Sequence, residues 1–103
     1  MFKDNWIHEL AKLEDNYEPC VMVTVLEDRG SVPRDAGTKM LVTRDRIIAT
    51  IGGGHLEHVA TKMAREMLIA SEKSLKVERF NLGARLGQCW GGMATLSMSP
   101  IHI

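Results

Sequence analysis

The segment 51–68, IGGGHLEHVATKMAREML, decides the fold, because it leads from the end of a strand into a helix through three consecutive glycines. Its apolar residues recur at the spacing that places them on one side of a helix: Leu56, Val59, Ala60, Met63, Ala64, Met67 and Leu68. The residues expected on the opposite, solvent-facing side are Glu57, His58, Thr61, Lys62, Arg65 and Glu66. The segment therefore predicts a strand, a glycine turn at Gly52–Gly54 and an amphipathic helix.

Strand signals lie on both sides of this helix. The run 20–26, CVMVTVL, is apolar on both faces and rich in β-branched residues, which is typical of a strand in the middle of a sheet. Further strands are predicted at 39–43, 46–51, 75–80 and 93–98. The apolar residues from Trp6 to Tyr17 have helical spacing, which predicts a first helix with Asp4 as its N-cap and an end before Pro19.

The resulting order, α-β-β-β-α-β-β, combines short hairpin connections with one helical crossover. We therefore predict an α/β (α+β) fold, with a mixed β-sheet of about five strands and two main helices packed on it. The 103 residues are expected to form a single domain, 1–103.

Composition argues against several classes of function. Because 13 Lys and Arg balance 13 Asp and Glu, the formal net charge is zero, which disfavours nucleic acid as the main partner. No apolar run approaches the ~18 residues that span a bilayer, and the charged start lacks the apolar core of a signal peptide. The two cysteines, Cys20 and Cys89, do not suggest a disulfide framework. We therefore expect a cytoplasmic protein without membrane contact, with Cys20 in the core.

The glycine turn has the form of an anion-binding site, since a helix start aims backbone N–H groups and the positive end of the helix dipole at one point. It is not a Walker A loop, because no Gly-Lys-Ser/Thr follows. As a dinucleotide fingerprint it supplies Gly52 and Gly54 but has Glu57 in place of the third glycine, while Glu78 is a candidate ribose-binding acid. The alternative is that the glycines make only a tight turn.

Two histidines at the start of the predicted helix raise the question of a metal. His55 and His58 are three residues apart, and Cys89 is a candidate third ligand. The common helical zinc motif places its histidines four residues apart, and no pair of cysteines completes a structural zinc site. The spacing therefore favours His58 as a solvated surface residue.

Two polar loops carry the remaining candidates. Segment 30–34, GSVPR, places the Ser31 hydroxyl and the Arg34 guanidinium on a loop stiffened by proline, which suits a phosphate or carboxylate. Ser31 lacks the Gly-x-Ser-x-Gly elbow of a hydrolase. Segment 82–92, LGARLGQCWGG, places Cys89 where N–H groups can stabilise a thiolate, with a buried structural cysteine as the alternative. A Cys89 nucleophile with His55 as its base lacks an identifiable third residue.

Four motifs together resemble the amino-terminal domain of the XdhC/CoxI family, which comprises accessory proteins for molybdenum hydroxylases such as xanthine dehydrogenase. They are GSVPR at 30–34, GTKMLVT at 37–43, GGGHLE at 52–57 and LGQCWGG at 86–92. The motifs follow the family's order across most of the chain, and the four together are far more specific than any one alone.

The resemblance implies a chaperone for the molybdenum cofactor (molybdopterin) in purine catabolism, and not an enzyme. Such a protein holds the cofactor while a cysteine desulfurase installs its sulfido ligand, and then helps to insert it into the hydroxylase. The implied contact to molybdenum is Cys89, because a thiolate suits a soft metal. Resemblance and loop chemistry together give the cofactor-binding candidates Ser31, Arg34, Gly52, Gly53, Gly54, His55, Glu57, Gln88, Cys89, Gly91 and Gly92. No catalytic residue is expected, and a homodimer stays open.

Two features depart from the family pattern. Trp90 stands where a second cysteine commonly follows the first, and the family's carboxy-terminal Rossmann domain has no counterpart in these 103 residues. We therefore expect either a short homologue or part of a longer protein. Two other interpretations stay open: a small phosphate- or dinucleotide-binding module built on Gly52–Gly54, and a degenerate domain that binds a hydroxylase without the cofactor.

Overall fold

The computed structural model of the chain packs one helix on each face of a five-stranded sheet. It describes residues 5–29, 37–52, 54–81 and 93–101. The elements are α1 (Asn5–Asp15), β1 (Cys20–Arg29), β2 (Lys39–Val42), β3 (Ile47–Ile48), α2 (Gly54–Ile69), β4 (Lys76–Asn81) and β5 (Met93–Ile101). The five strands, the two helices and the α+β class predicted from the sequence are thereby confirmed.

The strand order is β3-β2-β1-β5-β4, and each pair of neighbours is antiparallel. The expectation of a mixed sheet is therefore wrong for the described strands. The crossover through α2 does join two strands of the same direction, β3 and β4, as predicted. These two strands lie at opposite edges of the sheet, however, so they form no parallel ladder. β1 occupies the centre, as its two apolar faces predicted.

The face of the sheet that α2 covers contains the main core. Its buried members come from β1, β2, β5, α2 and the turn residue Ile51, and they include Val23, Met40 and Leu96, each fully buried. The prediction that Thr61 lies on the solvent-facing side of α2 is wrong, because only 6% of its surface is exposed. Its hydroxyl, Oγ1, has no hydrogen-bond partner in the part of the chain that the structure describes.

The opposite face, covered by α1, contains a smaller core. Leu13 of α1 packs with Cys20 of β1 and Leu41 of β2, and partly buried residues surround this group, Trp6 among them. Cys20 is fully buried, as predicted. Burial raises the pKa of its thiol to about 11, and the charges of Glu18 and Glu14 add to the effect.

The β2–β3 hairpin is fastened by hydrogen bonds at one end of the sheet. Thr43 N donates to Arg46 O at 2.9 Å, and Arg46 N donates to Thr43 Oγ1 at 2.9 Å. The Arg46 guanidinium also reaches Glu18 Oε1 at 2.7 Å, and Arg65 Nε of α2 donates to Thr43 O at 3.2 Å. β3 ends at Ile48, earlier than predicted, because the next residue, Ala49, has a φ of 66°, which strand geometry does not allow.

Candidate functional site

The strands that lead into the three candidate loops all end at the same end of the sheet. β1, β3 and β4 run in the same direction, because each is antiparallel to β2 or β5. Each is followed by a segment that carries one of the sequence motifs: 30–36 after β1, 49–54 after β3 and 82–92 after β4. The hairpin at Thr43–Arg46 lies at the other end of the sheet. The topology therefore places the ends of three strands that lead into motifs at one end of the sheet, although these strands are far apart in the chain.

This end of the sheet has a step, because β1 extends past β2. The β1–β2 ladder ends at the pair Thr24 and Lys39, whereas the β1–β5 ladder continues to Arg29 and Met93. Beyond Val25 the projection comprises the four residues 26–29, with a register shift between Val25 and Glu27. Met93 also pairs with Asn81 of β4. Both ends of segment 82–92 and the start of segment 30–36 are thus held on three adjacent strands at the top of the step.

The foot of the step is held by backbone hydrogen bonds. Gly37 N donates to Val25 O at 2.6 Å, and Val25 N donates to Thr38 O at 2.9 Å. Gly37 has a φ of 93°, a backbone conformation that favours glycine, although there is open space where a side chain would begin. The chain thus leaves the top of the step at Arg29 and rejoins β1 at its foot.

The glycine turn between β3 and α2 is built on left-handed backbone. φ is 66° at Ala49, 128° at Gly52 and 72° at Gly54. Glycine adopts these angles without the steric penalty of a Cβ, which explains two of the three glycines. Thr50 fastens the turn, because its Oγ1 accepts a hydrogen bond from Gly52 N at 3.0 Å. The described residues of the turn are therefore joined by a specific hydrogen bond.

Glu57, in the first turn of α2, completes this structure. Its Oε1 accepts hydrogen bonds from the Thr50 hydroxyl and from Ile51 N, the latter at 3.4 Å. A carboxylate in the first turn also complements the positive end of the helix dipole. Two backbone donors of the turn, Ile51 N–H and Gly52 N–H, are consequently used inside the turn.

His55 and His58 lie side by side on α2, and both are exposed, as predicted for His58. Their ring centroids are 6.5 Å apart. Within the described residues no group of three or more His, Cys, Asp or Glu side chains is placed to hold a metal ion. Cys89, the predicted third ligand, lies outside the described residues.

Of the predicted binding residues, the structure brings together Gly52, Gly54, His55 and Glu57 at the glycine turn. The others fall outside the described residues: Ser31, Arg34, Gly53, Gln88, Cys89, Gly91 and Gly92. The same holds for Trp90 and for the predicted N-cap, Asp4.

A dinucleotide site of the usual kind does not fit this topology. Such a site needs the strand after the helix to lie beside the strand before it, so that an acid on the second strand reaches the ribose. Here three strands separate β3 from β4, which carries Glu78. Four strand spacings amount to roughly 19 Å. Glu78 therefore does not serve the glycine turn as a ribose-binding acid.

Sequence reasoning missed Thr50, whose side chain joins the strand end to Glu57 and to Gly52. The signal was a threonine two residues before a glycine, since Ser and Thr hydroxyls often accept a hydrogen bond from the N–H two residues on. No helix in the described part of the chain is long and apolar enough to cross a bilayer.

The fold and the clustered motifs define a small α+β domain that carries its candidate ligand loops at one end of an antiparallel sheet. The chain belongs to the XdhC and CoxI family, whose model matches residues 13–81. The match includes the glycine turn and the strands on either side of it.

Two relatives extend this comparison. The chain is 29% identical over 93 residues to the uncharacterized protein YqeB of Escherichia coli (strain K12), covering 87% of this chain and 17% of that protein. It also resembles a crystal structure described as a xanthine dehydrogenase from Bacillus halodurans, with a TM-score of 0.77 at 24% identity. That match covers 94% of this chain and 30% of the other, and it shows the common fold. The chain thus spans less than a third of either relative.

Proposed function

We propose that this domain is an accessory protein of a xanthine dehydrogenase-type molybdenum hydroxylase, and that it carries the molybdenum cofactor as cargo. We also propose that the protein is cytoplasmic and is not itself an enzyme. A cysteine desulfurase is the partner that supplies the cofactor's sulfido ligand, and the hydroxylase is the recipient. A second copy of the chain is a further candidate partner.

The observation that carries this proposal is that three strands leading into family motifs end at the same end of the sheet. β1, β3 and β4 end there, and each continues into a motif-bearing segment. Family membership supports the same assignment. A binding site built from segments distant in sequence needs this kind of convergence.

The chemistry of the residues suits this cargo. The cofactor joins a soft metal centre to a pterin ring and an anionic phosphate. A cysteine thiolate is a fitting contact for the metal, and we assign it to Cys89. Arg34 supplies a charged donor, and Glu57 with the backbone of the glycine turn supplies fixed polar groups. Such a carrier would act by holding the cofactor and shielding it.

Retention of the cofactor tests the proposal. Purified protein mixed with isolated molybdenum cofactor and passed through a desalting column should keep the cofactor, measured as pterin fluorescence and molybdenum content. Cys89→Ala should lose most of it. Cys20→Ala is the matched control, since Cys20 begins β1 at the other end of the sheet and is fully buried.

The outcome also separates the alternatives. Equal retention by Cys89→Ala and the wild type would refute the assigned role of Cys89. If the protein co-purifies with a molybdenum hydroxylase but never holds pterin, it is an interaction domain instead. Saturable binding of NAD or ATP, without the cofactor, would instead indicate a nucleotide module.

A further inference from the structure

The glycine turn presents a carboxylate, and this bears on which end of the cargo it receives. Among the described residues, Ile51 N–H and the Thr50 hydroxyl donate to Glu57 Oε1, and Gly52 N–H donates to Thr50 Oγ1. A phosphate cradle needs such donors free and aimed outward. Here they point at groups of the protein itself.

Charge points the same way. Glu57 is a partly buried carboxylate in the first turn of α2, where it complements the helix dipole. A phosphate bound at this turn would face that carboxylate, and like charges at close range in a partly buried site repel each other. The Glu57 carboxylate therefore disfavours an anion beside it.

What the turn offers is hydrogen-bond acceptance. A carboxylate has about four acceptor positions on its two oxygens. Glu57 Oε1 takes the two donors of the turn, whereas Oε2 accepts no hydrogen bond from the described residues. The exposed Gly54 and the half-buried Gly52 have no Cβ to keep a flat ring away. The matching ligand is a planar ring whose edge carries N–H donors.

We propose that Glu57 is the specificity-determining residue of the glycine turn and receives the amino-pyrimidinone edge of a pterin, while the phosphate is held elsewhere. This rests on the proposed function, because it divides the same cargo between parts of the site. An N–H group of this pterin edge donates to Glu57 Oε2. Thr50 is a positioning residue that fixes the carboxylate.

Binding of neopterin, a pterin without phosphate or metal, tests this division. The wild-type protein should quench neopterin fluorescence saturably. Glu57→Gln keeps an oxygen that accepts from Thr50 and Ile51 but loses the charge, and we expect affinity to fall about tenfold or more. Glu66→Gln is the matched control, since it makes the same change on an exposed position of α2 and should leave affinity unchanged.

Inorganic phosphate supplies a second test, because the Glu57→Gln substitution should affect phosphate binding and pterin binding in opposite directions. If the turn held phosphate, loss of the Glu57 charge would strengthen phosphate binding, and phosphate would displace neopterin from Glu57→Gln. We expect no such competition. Thr50→Val should weaken neopterin binding as well, with melting temperatures recorded for each variant to show that it is folded.

The inference is overturned if the wild type does not bind neopterin, if folded Glu57→Gln binds it as well as wild type, or if phosphate competes. Failure of the proposed function looks different. In that case neopterin binding depends on Glu57, but the complete cofactor is not retained. Retention that depends on Cys89, with neopterin binding indifferent to Glu57, would overturn only the inference.

Discussion

The two faces of the sheet differ in how much core each helix covers. Of the described residues, fourteen form the buried cluster beneath α2, whereas three form the cluster beneath α1. The larger cluster includes Ile51 and Leu56, which flank the glycine turn. The candidate site therefore adjoins the larger core, whereas α1 packs on the smaller core of the opposite face. Rigid mounting suits a site that must hold its polar groups in place without a ligand.

Replacing one buried leucine by alanine on each face should reveal the difference between the two cores most clearly. Leu96→Ala removes a fully buried side chain from β5 on the α2 face, and we expect the free energy of unfolding to fall by about 4 kcal/mol. Leu13→Ala removes the same atoms from α1, where Leu13 is 2% exposed. There we expect a loss of about 2.5 kcal/mol, because a helix with few buried neighbours can collapse into the space.

Urea unfolding followed by circular dichroism measures both values. Equal losses would mean that the two cores are equally tight, against the difference described above. In addition, Leu13→Ala should leave neopterin binding intact, since α1 packs away from the glycine turn.

Most of this architecture could be predicted from sequence periodicity, and the exceptions have physical causes. The alternation of Ala94, Leu96 and Met98 with polar residues predicted β5, and the structure buries all three. Strand order could not be predicted, because periodicity shows which side of a strand is buried but not which strand lies beside it. The crossover accordingly led to the wrong expectation of a mixed sheet.

At the candidate site, the order of strand, turn and helix could be predicted, and the hydrogen bond from Gly52 N to Thr50 Oγ1 had a local signal in the sequence. The sequence left open whether the glycines make only a tight turn, and the positive φ at Gly52 and Gly54 accounts for two of them by backbone conformation. The hydrogen bond between Thr50 and Glu57 could not be predicted, because it joins residues seven apart on either side of the turn.

The buried thiol of Cys20 makes the stability of the protein depend on pH in the alkaline range. Burial raises its pKa from 9.0 to about 11, so the unfolded chain loses the proton at a lower pH than the folded chain. Stability from this group is complete below about pH 9 and is lost as the pH rises toward 11, by about 2–3 kcal/mol in all.

Urea unfolding at about pH 8 and about pH 10.5 measures this loss. Cys20→Ala removes the titrating group, so subtracting its pH dependence isolates the contribution of the thiol. If Cys20→Ala and the wild type lose stability in parallel, the thiol is not protected in the folded protein, and the α1 cover is looser than its burial indicates.

Thr61 is a weak point on the otherwise well-packed α2 face. Its buried hydroxyl has no partner among the described residues, and a buried hydroxyl without a hydrogen bond costs free energy. We expect Thr61→Val to raise the free energy of unfolding by about 1 kcal/mol. Thr43→Val is the control, because the equally shaped Thr43 side chain accepts from Arg46 N and should cost about 1 kcal/mol when replaced. A loss of stability in Thr61→Val would show that the hydroxyl is hydrogen-bonded in solution, for example to a buried water.

The smallest effects are expected at the carboxyl ends of the two helices, which are built alike on opposite faces. Tyr17 follows α1 and Ser71 follows α2, each with a φ of 55°. In both, the next residue donates back five positions: Glu18 N to Leu13 O at 2.9 Å and Glu72 N to Met67 O at 3.0 Å. Glycine is preferred at this left-handed position because it has no Cβ. Tyr17→Gly and Ser71→Gly should therefore each stabilise the protein by about 0.5 kcal/mol, read as a small rise in melting temperature. Leu13, which accepts the first of these hydrogen bonds, is also the buried residue of α1. If Tyr17→Gly stabilises the protein more than Ser71→Gly does, the packing of α1 depends more on its carboxyl end than the packing of α2 does.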